Sequence, residues 1–410
     1  LLGLHLKAGE FAALAFGLGS GAITLAVFGA LAVFGAPFSG QTVLATVFAL
    51  FAFFLPLAAT RALRSGRPFF AGLIEKPIFP SGLDRALALI LLLLIAYTAL
   101  IALYWPPWTW DALAIWVVKA KAIFLSQSLS GHLEGAYPSY PLHVPLQLAI
   151  LRLNSPEPPT QILFPVYAAG LLLVVKNGLF RLGQTRSGLF FTLLLAATPI
   201  FITYSSTAYA DMPYTFYYVS SALCLLAFFK SGQITFAVLS ALLAGITAWT
   251  RPEGVLSLIV NYAALLAYLA WTRSKASLIA ALLYPVGFSF FWAPWAYYTQ
   301  LHGYGSYVAA AGAAALRQLI SLQVSLDRLF SVLKYFAGQW SAFEVWGSVW
   351  LVFGLSLIKL RAVRRHLFLL LLIFLNIAAL LFTYYATPET PPLQWWLETG
   401  FARMALHFAP

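Results

Sequence analysis

Apolar runs long enough to cross a lipid bilayer recur along the whole of this 410-residue chain, and that recurrence limits its fold more than any motif does. A spanning helix needs about 20 apolar residues, because hydrocarbon offers the backbone no hydrogen-bonding partner and only helices or closed barrels satisfy it. Reading the runs between polar, proline and glycine punctuation gives about eleven helices, near 10–34, 41–59, 86–105, 161–176, 188–204, 212–229, 234–250, 254–271, 276–297, 343–359 and 367–385. With 9% charged residues against 62% hydrophobic ones, the chain cannot clothe a soluble surface. The expected fold is therefore an all-α, multi-pass membrane domain over residues 1–410. The final stretch, WWLETGFARMALHFAP, turns apolar again and predicts the beginning of a twelfth helix that continues past the end.

The basic residues orient these spans. Placing the N-terminus in the cytoplasm puts all but eight of the 24 Lys and Arg on the inner side, many in short loops such as KSGQ, TRSK and KLRAVRRH. The acidic residues divide the other way, since only Glu10, Glu75 and Asp84 of the 12 fall inside. Residues 1–85 then form a helical hairpin and a cytoplasmic loop, while 106–160 and 298–342 become two long outer loops. In the first of these, DALAIWVVKAKAIFLSQ predicts a helix lying along the membrane surface. Tyr-Pro repeats and a second short helix follow it. The second loop carries an amphipathic stretch around LISLQVSLDRLFSVLKYF.

Scarce carboxylates at the outer helix ends are the candidates for chemistry. Asp111 stands in YWPPWTWDALAIW among Trp105, Trp108, Trp110 and Trp116. Its ordinary use is to cap a helix; ringed by tryptophan it would also be partly desolvated and suited to accept a proton. Asp211 opens another helix in AYADMP, and the TRPEG turn sets Arg251 and Glu253 between two spans. Arg403 and His407 fall on one face of the terminal segment. Guanidinium forks suit phosphate oxygens, so Arg403 and then Arg251 are candidate anion partners. Tyr137, Tyr140, Glu253, His143 and His407 are candidates for positioning a substrate, although a histidine such as His143 in YPLHVPL is ordinarily a packed, hydrogen-bonded one. No metal-site, Walker or GxSxG pattern is present. A divalent ion between Asp111 and Asp211 stays open as an alternative. No basic patch points to nucleic acid.

Taken in order, WDALAIWVVKAKAIF with YPSYPL, then YADMP, GITAWTRPEG and TGFARMALHFAP resemble the GT-C glycosyltransferase superfamily. The likeness is to the protein O-mannosyltransferase and aminoarabinose-transferase type, over roughly 104–410. The resemblance implies sugar transfer, with inversion, from a polyprenyl-phosphate donor to a lipid, glycan or protein acceptor at the outer face. Asp111 would be the general base, Asp211 would assist, and Arg403 would face the lipid phosphate, with Arg251 and Lys119 or Lys121 behind it. This chain departs from that pattern in two ways: Ala112 stands where the mannosyltransferases often have a second acidic residue, and two spans rather than one precede the helix leading to Asp111. The rival reading is a transporter or flippase of a lipid-linked or small polar substrate. Transporters gather charge near mid-bilayer, whereas these spans hold almost none there.

Overall fold

The structure is a computed structural model describing residues 4, 6–65, 81–155, 158–181, 188–305, 312–314, 316–317, 320, 325–358, 366–387 and 390–410, with backbone alone for 61–65. All regular structure among them is helical. The helices are α1 (Ala8–Phe34), α2 (Gly40–Ser65), α3 (Gly82–Tyr104), α4 (Val117–Ser126), α5 (His143–Arg152), α6 (Leu163–Arg181), α7 (Gly188–Ala196), α8 (Pro199–Ser206) and α9 (Asp211–Ser231). They continue as α10 (Ile234–Thr250), α11 (Val255–Thr272), α12 (Lys275–Leu301), α13 (Leu326–Gln339), α14 (Phe343–Trp346), α15 (Val349–Leu357), α16 (Leu367–Tyr385) and α17 (Leu393–Leu406).

Among the described residues, eight helices are long and apolar enough to cross a membrane, the architecture of a multi-pass membrane protein. A ninth is reached if α7 and α8 count as one span. They meet at 67° because Pro199 cannot continue the hydrogen-bond ladder of α7. Two of the eleven expected spans have other forms. Residues 234–250 make a helix of 17 residues, and 343–359 is broken at Gly347, whose φ of 53° ends α14 before α15 begins. The loops at 66–80, 182–187 and 359–365, which carry Arg67, Lys76, Arg186 and the KLRAVRR cluster of the orientation argument, lie outside the described residues.

α9 is the central helix, buried along most of its length against α6 and α10. α10 packs closely on α12: a Cβ at Gly245 would fall 2.4 Å from the Phe288 carbonyl oxygen, so only glycine permits this approach. α1 is no peripheral addition, for it lies against α5, α6 and α10, and Gly17 faces the Phe216 ring. At its start the buried Glu10 pairs with Arg181 at 2.5 Å. α2 and α3 turn Phe48, Phe51, Leu89 and Leu92 outward, the surface expected to meet lipid.

The segment 106–160 is helical where expected. Ala112–Trp116 form a π turn that runs into α4, and α4 packs on α5. α5 is buried from His143 to Ala149 between α1, α4 and α10, so it is a core element rather than a surface one. The amphipathic α13 packs on α16 and α17. α17 itself ends at Leu406 with Phe401, Ala405 and Leu406 buried against its neighbours, α8 and α9 among them.

Candidate functional site

The site forms where α4, α9, α10 and α17 bring their ends together. Asp111 precedes the π turn in helical conformation (φ −61°, ψ −35°) and its side chain caps nothing. The insertion that makes a π turn is costly in an α-helix and recurs at functional sites. Here the Asp111 carboxylate is aimed across the bundle at Arg403, whose Nη1 donates to Oδ2 at 2.5 Å. The Tyr209 hydroxyl accepts from the Asp111 backbone N–H at 3.4 Å, and the Arg403 guanidinium lies 5.5 Å from the Tyr209 ring centroid.

Arg403 also approaches Asp211, with Nε 3.6 Å from Oδ1. The same Oδ1 accepts from Arg251 Nη1 at 2.6 Å and lies 2.9 Å from His407 Nε2. Arg251 in turn reaches Glu253 through Nε at 3.2 Å and Nη2 at 3.4 Å. Asp111, Arg403, Asp211, Arg251 and Glu253 therefore form one continuous charged network, which His407 joins through Asp211. A charge in a low-dielectric interior is tolerated only when paired and hydrogen-bonded, which is why these buried ionisable groups converge on one another.

The network has two halves. Asp211 is fully buried, and Arg251, Glu253 and His407 are nearly so. The exposed half is Asp111 and Arg403, with side chains 17% and 18% accessible. Burial pulls the Arg403 guanidinium down, but Asp211 and Asp111 outweigh it and hold the group firmly protonated. Burial lowers His407 despite its hydrogen bond to Asp211, favouring the neutral ring. That ring packs on Tyr214, with centroids 4.1 Å apart and planes tilted by 36°, and Tyr214 donates to the Glu253 carbonyl. Asp211 Oδ2 has no hydrogen-bond partner among the described residues.

Asp111, Arg403, Arg251 and Glu253 border a cavity of about 910 Å³. Its remaining wall is largely aromatic and aliphatic: Trp110, Tyr137, Tyr140, Tyr204 and Tyr209 near Asp111, and Leu256, Trp292, Trp295, Phe382 and Trp396 further along α11, α12, α16 and α17. A large apolar cavity with a few convergent charges at one end suits an amphiphile with an ionic or polar head.

Other sequence candidates lie elsewhere. Lys119 is fully buried behind the wall, and its Nζ donates to the Tyr137 carbonyl at 2.7 Å. Lys121 is exposed and does not line the cavity. His143 sits inside the bundle, with Nδ1 2.7 Å from Thr24 Oγ1 and Nε2 near the Tyr167 and Tyr217 hydroxyls, so its setting is that of a core hydrogen-bonding group. The expected tryptophan enclosure of Asp111 is not formed. Trp105, Trp108 and Trp110 are mostly exposed, while Trp116 is buried against Tyr140. The carboxylate is met instead by Arg403, which lies over the Tyr209 ring. Tyr204 and Tyr209 were not singled out from the sequence, although TYSSTAYAD sets both just ahead of Asp211.

The space between Asp111 and Asp211, where a bridging divalent ion would sit, is taken by the Arg403 guanidinium. Among the described residues no group of three or more His, Cys, Asp or Glu converges as a metal site. Comparison with protein-family models, curated proteins and solved structures finds no match for this chain.

Proposed function

We propose that this protein is a membrane glycosyltransferase of the GT-C type, moving a sugar from a polyprenyl-phosphate donor to an acceptor hydroxyl or amine. The observation that carries the reading is the contact between Asp111 and Arg403 on the wall of a large apolar cavity. The lipid-phosphate donor is an apolar chain with an anionic head, and the cavity offers an apolar trough with a guanidinium at one end.

Arg403 neutralises Asp111 through their 2.5 Å contact. An incoming phosphate competes for the same guanidinium through charge-assisted hydrogen bonds. As Arg403 turns toward the phosphate, the Asp111 carboxylate is released to face the acceptor. The acceptor heteroatom attacks the anomeric carbon, Asp111 takes its proton, and the bond from that carbon to the phosphate oxygen breaks with its electron pair on the phosphate. Arg403 stabilises the charge that develops on the leaving group. A single displacement inverts the anomeric centre. Asp211 and Arg251, held behind Arg403, fix the direction from which it works. On the charge bias of the loops, the cavity opens to the extracytoplasmic side.

Transport is the rival reading. The charged network lies at helix ends, around the start of α9, the end of α10 and the last turn of α17, rather than at mid-span. That position favours chemistry at the interface over a path through it. The test is to incubate purified protein in proteoliposomes with radiolabelled polyprenyl-phosphate sugars and candidate acceptors. Formation of a new glycosidic bond is expected; movement of the label across the bilayer with no bond formed would replace the transferase by a transporter.

A further inference from the structure

Beside Asp111 the cavity wall is built from GAYPSY, residues 135–140, folded back over the start of α4. The Ala136 N–H donates to the Ala114 carbonyl inside the π turn at 2.8 Å. Tyr137 follows at φ 55°, in the left-handed region that bulky residues seldom occupy. Such strain persists only where the surroundings over-determine it. Here the Tyr137 carbonyl accepts both the Tyr140 N–H, at 2.9 Å, and the buried Lys119 Nζ, which also lies 5.9 Å from the Tyr140 ring centroid. Gly135 makes room for the lysine stem, since a Cβ there would fall 2.6 Å from Lys119 Cγ. Burying an amine is unfavourable, and an apolar residue would fill the same space without fixing the loop.

The product of this arrangement is a flat aromatic surface. The Tyr137 and Tyr140 rings stack with centroids 4.9 Å apart and planes 20° apart, and Trp110 meets Tyr137 edge-on at 6.4 Å. Tyr140 is nearly buried, while Tyr137 remains 38% exposed and both line the cavity with Asp111. An aromatic face carries partial negative charge and suits a molecule with one flat face of weakly positive C–H groups and a polar rim. A pyranose ring is such a molecule. A polyprenyl chain would suit the wholly apolar wall around Leu256, Trp292 and Phe382 as well or better.

We infer that the stacked Tyr137–Tyr140 pair is the platform on which the pyranose ring of a saccharide substrate lies, and that Lys119 is the positioning residue that holds the platform in place. Its biological use rests on the transferase reading, but saccharide binding can be measured without it. The probe is octyl β-glucoside below its micellar concentration, with octyl tetraethylene glycol ether as the sugar-free control. Saturation-transfer NMR on the protein in nanodiscs reads the sugar and the chain separately. In the wild type, stacking on one face should saturate ring protons H1, H3 and H5 more than H2 and H4; equal saturation of the two faces would overturn the proposal without any variant.

Tyr137→Ala should lower the ring-to-chain ratio by about three- to tenfold, the value of one aromatic contact, while Tyr137→Phe keeps it. Lys119→Met should lower it as well although Tyr137 remains, an effect that mere loss of stability would not produce. An unchanged ratio in folded Tyr137→Ala, or loss in Tyr137→Phe, contradicts stacking. The two readings fail separately: one-faced ring saturation without any glycosidic bond formed keeps the platform and removes the transferase, and sugar transfer with no ring saturation does the reverse.

Discussion

Arg403 and Asp111 are 292 residues apart in the chain and 2.5 Å apart in space. The pair closes the open end of a network whose inner members, Asp211 and Arg251, are almost wholly buried. One guanidinium thus serves two carboxylates, one fixed and one facing the cavity. On the proposed reading, an anionic donor would draw Arg403 away from Asp111 while Asp211, 3.6 Å from its Nε, stays beside it.

Arg403→Ala should leave Asp111 and Asp211 without the cation between them. Breaking a largely buried pair costs about 3 kcal/mol, and loss of a group that stabilises a developing oxyanion lowers turnover by roughly a hundredfold or more. Arg403→Lys keeps the charge but loses the fork that reaches both carboxylates, so it should recover stability better than turnover. Thermal melting and initial rates measured on the same preparations separate the two effects.

The buried half of the network should behave as structure. Arg251→Met strands Asp211 and Glu253 and should destabilise by about 3–5 kcal/mol. Adding Glu253→Gln removes one of the stranded charges and should restore part of that loss. A double-mutant cycle read by thermal melting gives the coupling; simple additivity would mean that the 3.2 Å contact contributes nothing.

His143→Phe tests the other histidine. Its ring sits between Thr24, Tyr167 and Tyr217, and orphaning those hydroxyls should cost about 1–3 kcal/mol. Turnover per folded molecule should stay near that of the wild type. A large drop in turnover with no change in melting would place His143 in the reaction.

These residues also mark how far the sequence could be read. In the sequence Asp111, Asp211, Arg251 and Glu253 stand out at helix ends or a turn of one expected side, and Arg403 and His407 on one face of the terminal segment; in the structure all six meet. The physical reason is that an apolar chain cannot leave such charges unpaired near lipid. The pairing itself was not legible, because helix positions across 292 residues of chain are set by packing such as that at Gly245 and Gly17. Lys119 stood near one end of an expected surface helix that is apolar nearly all round, and such a pattern does not tell which side a charge faces; its amine is buried behind the wall on the Tyr137 carbonyl. The tryptophans failed for a related reason: Trp105 and Trp108 lie beyond the last turn of α3, and no periodicity fixes where they point. Gly347 divided 343–359 because hydropathy registers apolar length and not a local break.

Lys119 should give stability a measurable pH dependence. Burial brings its amine down to about 7, against about 10.4 for a lysine in an unfolded chain. Between these values the unfolded state holds a proton that the folded state lacks, so stability should rise with pH from near 7 toward 10, by a few kcal/mol in total. Lys119→Met should flatten that slope. Parallel melting-temperature profiles of the two proteins would reject the buried-amine account.

The most direct test of the account compares initial transfer rates of wild-type protein and Asp111→Asn, using a radiolabelled polyprenyl-phosphate sugar, with melting temperatures in parallel. Asparagine keeps the shape and can still contact Arg403 but cannot take the acceptor's proton, so turnover should fall by about a hundredfold or more while the protein stays folded. Transfer at the wild-type rate by folded Asp111→Asn would contradict the assignment of Asp111 as the base.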